Sequence, residues 1–303
     1  MLHRTIASLL PYMPKKLVWV FSKRYIAGPN IGDAVRVSRM LNGEGCMVTI
    51  DLLGEFITNL DEARENCEAY LDIVDRFTAE GIQGNFSVKP TSFGLLIDRE
   101  ACYGYIRQIV ERASRKDNFV RIDMEDSKCV DMEIELYLKL KAEFPHNVGL
   151  VLQAYLRRTL ADVDAMMKAH SESKPLNFRL CKGIYVEPES IAFKDKQEIS
   201  RQYLNVLEAM LSRGIYVGIA THDKFVVRKA FELIEKYKIS ADKYEFQMLY
   251  GVTPELRKEV VSKGHRMRVY IPYGQQWFGY STRRLKENPN MVRDIIKALF
   301  VRG

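Results

Sequence analysis

Eight short runs rich in β-branched and aromatic residues recur along the chain, each followed by a stretch long enough for a helix. They are Met47–Leu53, Gly84–Pro90, Phe119–Met124, Val148–Ala154, Asn177–Lys182, Tyr216–Thr221, Tyr244–Leu249 and Met267–Pro272. Such alternation calls for parallel strands joined by helical crossovers, because a tight turn cannot reach a parallel neighbour. Eight units of this kind predict an α/β fold, a (β/α)8 TIM-like barrel. The segments Asp61–Glu80, Glu100–Ser114, Val226–Lys236 and Pro254–Lys263 carry apolar residues at helical spacing with charges opposite, and are expected in the outer ring. Residues 1–46 read as an N-terminal helical extension interrupted at Gly28-Pro29-Asn30, and residues 47–303 as the barrel, in one domain overall.

Composition narrows the class further. With 303 residues, 47% hydrophobic and 28% charged, the chain can bury one large core and is not of a disordered type. The net charge of +7 comes from basic residues interleaved with acids, which argues for solvated helix faces and against a nucleic-acid partner. Five cysteines without a CxxC pair fit a reducing compartment, and five histidines without HxxxH or HExxH spacing give no zinc site. No run of about 18 uncharged apolar residues is present, and the stretch from Leu9 to Ala27 is broken by Pro14, Lys15, Lys16, Lys23 and Arg24. A cytoplasmic protein is expected, with peripheral contact at the inner face of a membrane compatible with its basic charge.

In a barrel of this type the chemistry sits at the C-terminal ends of the strands. Those ends offer Asp51, Lys89, Asp123 and Glu125, Gln153 and Tyr155, Lys182 and Tyr185, Thr221 and His222, Gln247 and Tyr250, then Tyr270 and Tyr273. Any single one can be a plain surface residue, since a strand exit is also where the chain meets water. Their joint accumulation is what points to a site. The neighbours His222 and Asp223 would point to opposite faces of a strand, and no GxSxG elbow accompanies them, so hydrolysis is disfavoured. GxGxxG and GxxxxGK[ST] are both missing, which leaves the barrel mouth as the place for any cofactor.

After the eighth run, the stretch from Tyr273 to Glu287 reads as a helix containing Arg283 and Arg284. These two lie about 100° apart around a helix and can converge on one carboxylate, while Glu287 is spaced to pair with one of them. An ordinary solvated face is the alternative for this stretch.

Taken together, the strand-end motifs resemble the proline dehydrogenase family. They are Ser87-Val-Lys-Pro90, Arg121-Ile-Asp-Met-Glu125, Gln153-Ala-Tyr-Leu-Arg-Arg158, Arg179-Leu-Cys-Lys-Gly-Ile-Tyr185, Ala220-Thr-His222, Glu245-Phe-Gln-Met-Leu-Tyr-Gly251, and Tyr270 through Glu287. The resemblance covers nearly all of the chain. It implies the monofunctional, FAD-dependent form, which oxidises L-proline to Δ1-pyrroline-5-carboxylate by hydride transfer from proline C5 to flavin N5. It further implies a quinone as electron acceptor and a separate pyrroline-5-carboxylate dehydrogenase as a partner. By motif, Asp123, Arg179 and Tyr270 are the catalytic candidates. Lys89, Tyr185, Arg283, Arg284 and Glu287 are assigned to proline, with the arginine pair on its carboxylate and Glu287 orienting that pair. Met124, Gln153, Arg179, Lys182, Gly183, Ile184, Thr221 and His222 are assigned to FAD. Position 184 is alanine in many relatives, so Ile184 is a bulkier departure.

Two readings from other classes stay open on the residues alone. Lys182 at the end of the fifth strand could form a Schiff base in an aldolase-like lyase. A non-catalytic barrel that binds an amino acid could use the arginine pair. Neither accounts for all seven motif stretches.

Overall fold

The computed structural model describes residue 19, residues 22–54 and residues 57–281. Eight parallel strands close into one barrel in sequence order: β1 (Met47–Leu52), β2 (Gly84–Val88), β3 (Val120–Ile122), β4 (Val148–Gln153), β5 (Asn177–Cys181), β6 (Tyr216–Ala220), β7 (Tyr244–Leu249) and β8 (Met267–Tyr273). Closure is made by β1 and β8, with Thr49 opposite Tyr270. The strands are those expected from the sequence: β1 to β6 end one or two residues earlier, β3 also starts one later, β7 matches, and β8 runs one residue further to Tyr273.

Helix α1 (Ile31–Gly43) precedes the barrel, after the break at Gly28-Pro29-Asn30. Around it run α2 (Leu60–Ala79), α3 (Arg99–Ser114), α4 (Val130–Glu143), α5 (Thr159–Met166), α6 (Lys196–Leu211), α7 (Lys224–Lys236) and α8 (Pro254–Ser262). Four of these start on a side-chain cap: Asn59, Asp98, Asp195 and Asp223 each accept a backbone N–H of the first turn. A cap of this sort stabilises a helix by about 1 kcal/mol. Helix α2 shows how pattern becomes packing, because Ala63, Cys67, Tyr70, Val74 and Phe77 recur at helical spacing and are all buried.

The strands alternate, and the alternation sorts two interiors. Outward residues such as Phe86, Phe178 and Phe246 meet Phe77 of α2, Tyr137 of α4 and Phe231 of α7. Burying each aliphatic or aromatic side chain in this annulus contributes roughly 1.5–3 kcal/mol. Inward residues are mostly polar and bond to one another along the lumen wall, as Thr49 does to Asn85 on the neighbouring strand at 2.5 Å and Arg121 to the Asn177 side chain two strands on at 2.7 Å. The lumen is therefore a packed polar column rather than an apolar plug. All five cysteines are free thiols. Among the described residues, no helix is long and apolar enough to cross a membrane.

Candidate active site

At the C-terminal end of the sheet the column opens into a cavity of about 690 Å3. Its lining includes Lys89, Asp123, Met124, Gln153, Arg179, Lys182, Gly183, Ile184, Tyr185, Thr221, His222 and Tyr270, so the residues nominated from β2 to β8 share one space. Arg283, Arg284 and Glu287 lie outside the described residues.

The floor is built on the Asp123 carboxylate, which follows β3. Its Oδ1 accepts Nη1 of Arg179 at 2.9 Å and the Ser87 hydroxyl at 2.7 Å, and its Oδ2 accepts the Tyr270 hydroxyl at 2.9 Å. The Arg179 guanidinium lies 5.1 Å from the centre of the Tyr270 ring, within cation–π range. Lys89 donates to Asp51 at 2.5 Å and to the Tyr270 hydroxyl at 3.4 Å, and stands 3.9 Å from Asp123. Two cations and two anions thus interlock around one phenol. Burial, followed by the charges of Asp123 and Asp51, raises the Tyr270 phenol well above its usual range and keeps it a donor. Burial also raises the Asp51 carboxyl, against the pull of the Lys89 ammonium.

Two buried atoms of this floor have no hydrogen-bond partner among the described residues, Nη2 of Arg179 and Oδ2 of Asp51. A buried unmatched donor costs about 1–3 kcal/mol, so such groups tend to persist where a ligand completes them.

The walls are positioned by a second set of bonds. Gln153 Nε2 donates to the carbonyls of Glu125 and Met124 at 2.7 and 3.3 Å, tying β4 to the turn after β3. Lys182 is ion-paired to Asp223 at 2.7 Å and bonded to Ser200 at 2.8 Å. Nε2 of His222 accepts the Leu249 N–H at 2.9 Å, which leaves the ring proton on Nδ1. Gly183 has φ +104°, and a Cβ there would stand 2.1 Å from the Tyr155 ring, so the loop can seat against that tyrosine only with glycine. This loop, carrying Ile184 and Tyr185, is held by Glu187, whose carboxylate accepts the N–H and hydroxyl of Ser127 at 2.7 and 2.6 Å. Ile184 lies on the cavity rim and is exposed at 56%.

Ser87, Gln247 and Glu187 were not singled out for roles by sequence reasoning. For the first two a signal existed: polar residues at alternate positions of otherwise apolar strands, as in Asn85-x-Ser87-x-Lys89 and Glu245-x-Gln247. Among the described residues, no group of three or more His, Cys, Asp or Glu could hold a metal ion.

A closed eight-strand barrel with a charged, cross-braced floor at its C-terminal mouth defines an enzyme of the (β/α)8 class. The proline dehydrogenase profile matches residues 34–295. The chain is 36% identical over 278 residues to proline dehydrogenase 1 of Bacillus subtilis, covering 92% of this chain and 90% of that one. It is 32% identical over 291 residues to the proline dehydrogenase of Deinococcus radiodurans, covering 95% and 92%. A solved structure of proline utilization A from Bdellovibrio bacteriovorus, inactivated by N-propargylglycine, superposes with TM-score 0.85 at 26% identity. That match covers 90% of this chain and 33% of the other, so the likeness concerns about a third of that larger protein. The chain belongs to the proline dehydrogenase family, oxidoreductases of proline metabolism.

Proposed function

We propose that the chain oxidises L-proline to Δ1-pyrroline-5-carboxylate with FAD held across the strand ends. The observation that carries this reading is the floor itself: Asp123 fixed between Arg179 and Tyr270, with Nη2 of Arg179 buried and unmatched. FAD, when bound, supplies a two-electron acceptor for the hydride that leaves proline C5. The residues present suit it, because a planar ring with carbonyl oxygens and ring nitrogens needs a directed donor, an amide and a flat seat. Arg179, Gln153 and Gly183 meet those needs, and Met124, Lys182, Ile184, Thr221 and His222 complete the walls that would hold the cofactor.

The protein's own groups then divide the work. Arg179 places a fixed cation where negative charge accumulates during the reaction, held by groups that need no reorganisation. Lys89 adds a second cation at the floor, and Arg283 and Arg284 are assigned to the proline carboxylate, with Glu287 orienting them. Tyr185 lends an aromatic wall. The Tyr270 ring bounds the space for the proline ring and rejects an added hydroxyl by bulk. Asp123 keeps Arg179 and Tyr270 in place during turnover, and the enclosing walls limit water at the reacting carbon.

A quinone is the proposed terminal acceptor, reached through peripheral contact of a basic surface with a membrane. The product would pass to a separate pyrroline-5-carboxylate dehydrogenase. Lys182 as a Schiff-base nucleophile is disfavoured, since its ammonium is held by both Asp223 and Ser200.

The test is an anaerobic visible spectrum of the protein with FAD, before and after L-proline. Bleaching by proline, and little or none by trans-4-hydroxy-L-proline, is the expected result. A protein that neither takes up FAD nor responds to proline would sink the reading, and a lysine trapped by borohydride would put the lyase in its place.

A further inference from the structure

A line of hydrogen bonds leaves the cavity floor and descends the lumen. Nε of Arg179 donates to Oε1 of Gln247 at 2.6 Å, and Nε2 of Gln247 donates to Oε1 of Glu245 at 2.6 Å. Glu245 also accepts Nε and Nη2 of Arg268 at 2.6 and 3.0 Å, while Nη1 of Arg268 is used on the Val48 carbonyl at 2.8 Å. Gln247, Glu245 and Arg268 are all buried.

A carboxamide has one accepting end and one donating end. Its neighbours here admit only one orientation, because a carboxylate only accepts and a guanidinium only donates. Flipping the amide would set its NH2 against the Arg179 N–H and its oxygen against Glu245, two repulsive contacts between buried groups. The pair Glu245–Arg268 thereby dictates which atom Gln247 shows to Arg179. A guanidinium is a rigid planar fork, so fixing Nε on Gln247 and Nη1 on Asp123 and Ser87 fixes the remaining nitrogen as well. The strand beside it makes room: a Cβ at Gly218 would stand 2.4 Å from Nε2 of Gln247.

We propose that Gln247, locked by the Glu245–Arg268 pair and accommodated by Gly218, is a positioning residue that sets the direction of Arg179 Nη2. It thereby sets how strongly that guanidinium stabilises negative charge developing at the barrel mouth. The catalytic half of this inference rests on the proline-oxidising reading above. The geometric half does not.

The experiment compares Gln247→Leu and Gly218→Ala with the parent in two measurements. In 15N-arginine NMR of the protein as purified, the parent shows a slowly exchanging Nε–H for Arg179, assigned by its absence from Arg179→Lys. Gln247→Leu loses that protection and Gly218→Ala shifts the signal. With FAD bound, Gln247→Leu lowers kcat ten- to hundredfold with KM for L-proline within threefold, and moves the flavin midpoint potential to more negative values. Gly218→Ala does both to a smaller degree. Unchanged Nε–H protection in the variants, or unchanged kcat and potential once protection is lost, overturns the proposal. If Gln247→Leu does not fold, the Gly218→Ala measurements decide the matter by the same two readouts. A parent that binds no FAD removes the flavin reading, whereas the NMR comparison still decides whether Gln247 orients Arg179.

Discussion

Tyr270 and Asp123 face each other across the barrel mouth, the phenol donating to Oδ2 of the carboxylate at 2.9 Å. The other carboxylate oxygen is occupied by Arg179 and Ser87, so Asp123 is the hub on which three side chains depend. Replacing it by alanine leaves a buried guanidinium without its counter-charge, a loss that typically costs about 3 kcal/mol or more. Asp123→Ala is expected to lower proline oxidation at least a hundredfold and to reduce Tm by several degrees. Steady-state kinetics and calorimetry check both, and a parent-like kcat would contradict the hub.

The ring and the hydroxyl of Tyr270 do different jobs. Tyr270→Phe keeps the bulk and loses only the hydroxyl with its bonds to Asp123 and Lys89, so discrimination against trans-4-hydroxy-L-proline should stay within threefold of the parent while kcat drops. Tyr270→Ser removes the bulk, and the preference for proline over its hydroxylated form should fall at least tenfold, the range an added group in a tight pocket commands. The ratio of kcat/KM for the two substrates decides the point.

Glu187 touches nothing that reacts, yet it clamps the loop that carries Gly183, Ile184 and Tyr185. Two charge-assisted bonds from Ser127 are involved, each worth on the order of 1–2 kcal/mol. Glu187→Ala should weaken FAD binding about tenfold with little change in kcat at saturating cofactor. Fluorescence titration of the cofactor-stripped protein measures this, and equal affinities would show that the loop needs no clamp.

Acid should find the Glu245–Arg268 pair. Burial alone would raise the Glu245 carboxyl, but the attached guanidinium outweighs it and holds the group at about 2, below its ordinary 4.5. A carboxylate depressed on folding adds stability above its unfolded pKa and loses it as pH falls through the folded value. Glu245→Gln is therefore expected to be clearly less stable than the parent at pH 7, and the gap should narrow between pH 4.5 and about 2. Denaturant melts at pH 7 and pH 3 test this, and a gap that widens on acidification would reverse the sign of the argument.

The sequence makes the barrel legible because strand and helix periods alternate eight times; the caps Asn59, Asp98 and Asp223 emerged only with the structure. The polar residues that line the cavity were legible as strand-end groups, whereas Arg283, Arg284 and Glu287 lie outside the described residues. What periodicity could not reveal was the wiring. That Arg179 reaches Ser87, Asp123 and Gln247 depends on how strands β2, β3, β5 and β7 curve around one axis, a tertiary fact with no local signature. Asp51 illustrates the same limit, for its position at a strand end was evident but not its grip on Lys89. Gln247 was visible as a strand-end residue, while its dependence on Gly218 requires the register of β6 against β7.

The alternation of each strand has a consequence for how such a protein can change. Within a stretch such as Arg121-Ile122-Asp123, adjacent residues answer to different demands, the aliphatic one to the helical shell and its polar neighbours to the column along the axis. The two sets are interleaved in the chain but separated in space by the sheet itself. Substitutions confined to the inward positions retune the charge pattern of the axis while the apolar packing of the shell stays in place, so whatever stability they cost is lost from the polar column alone.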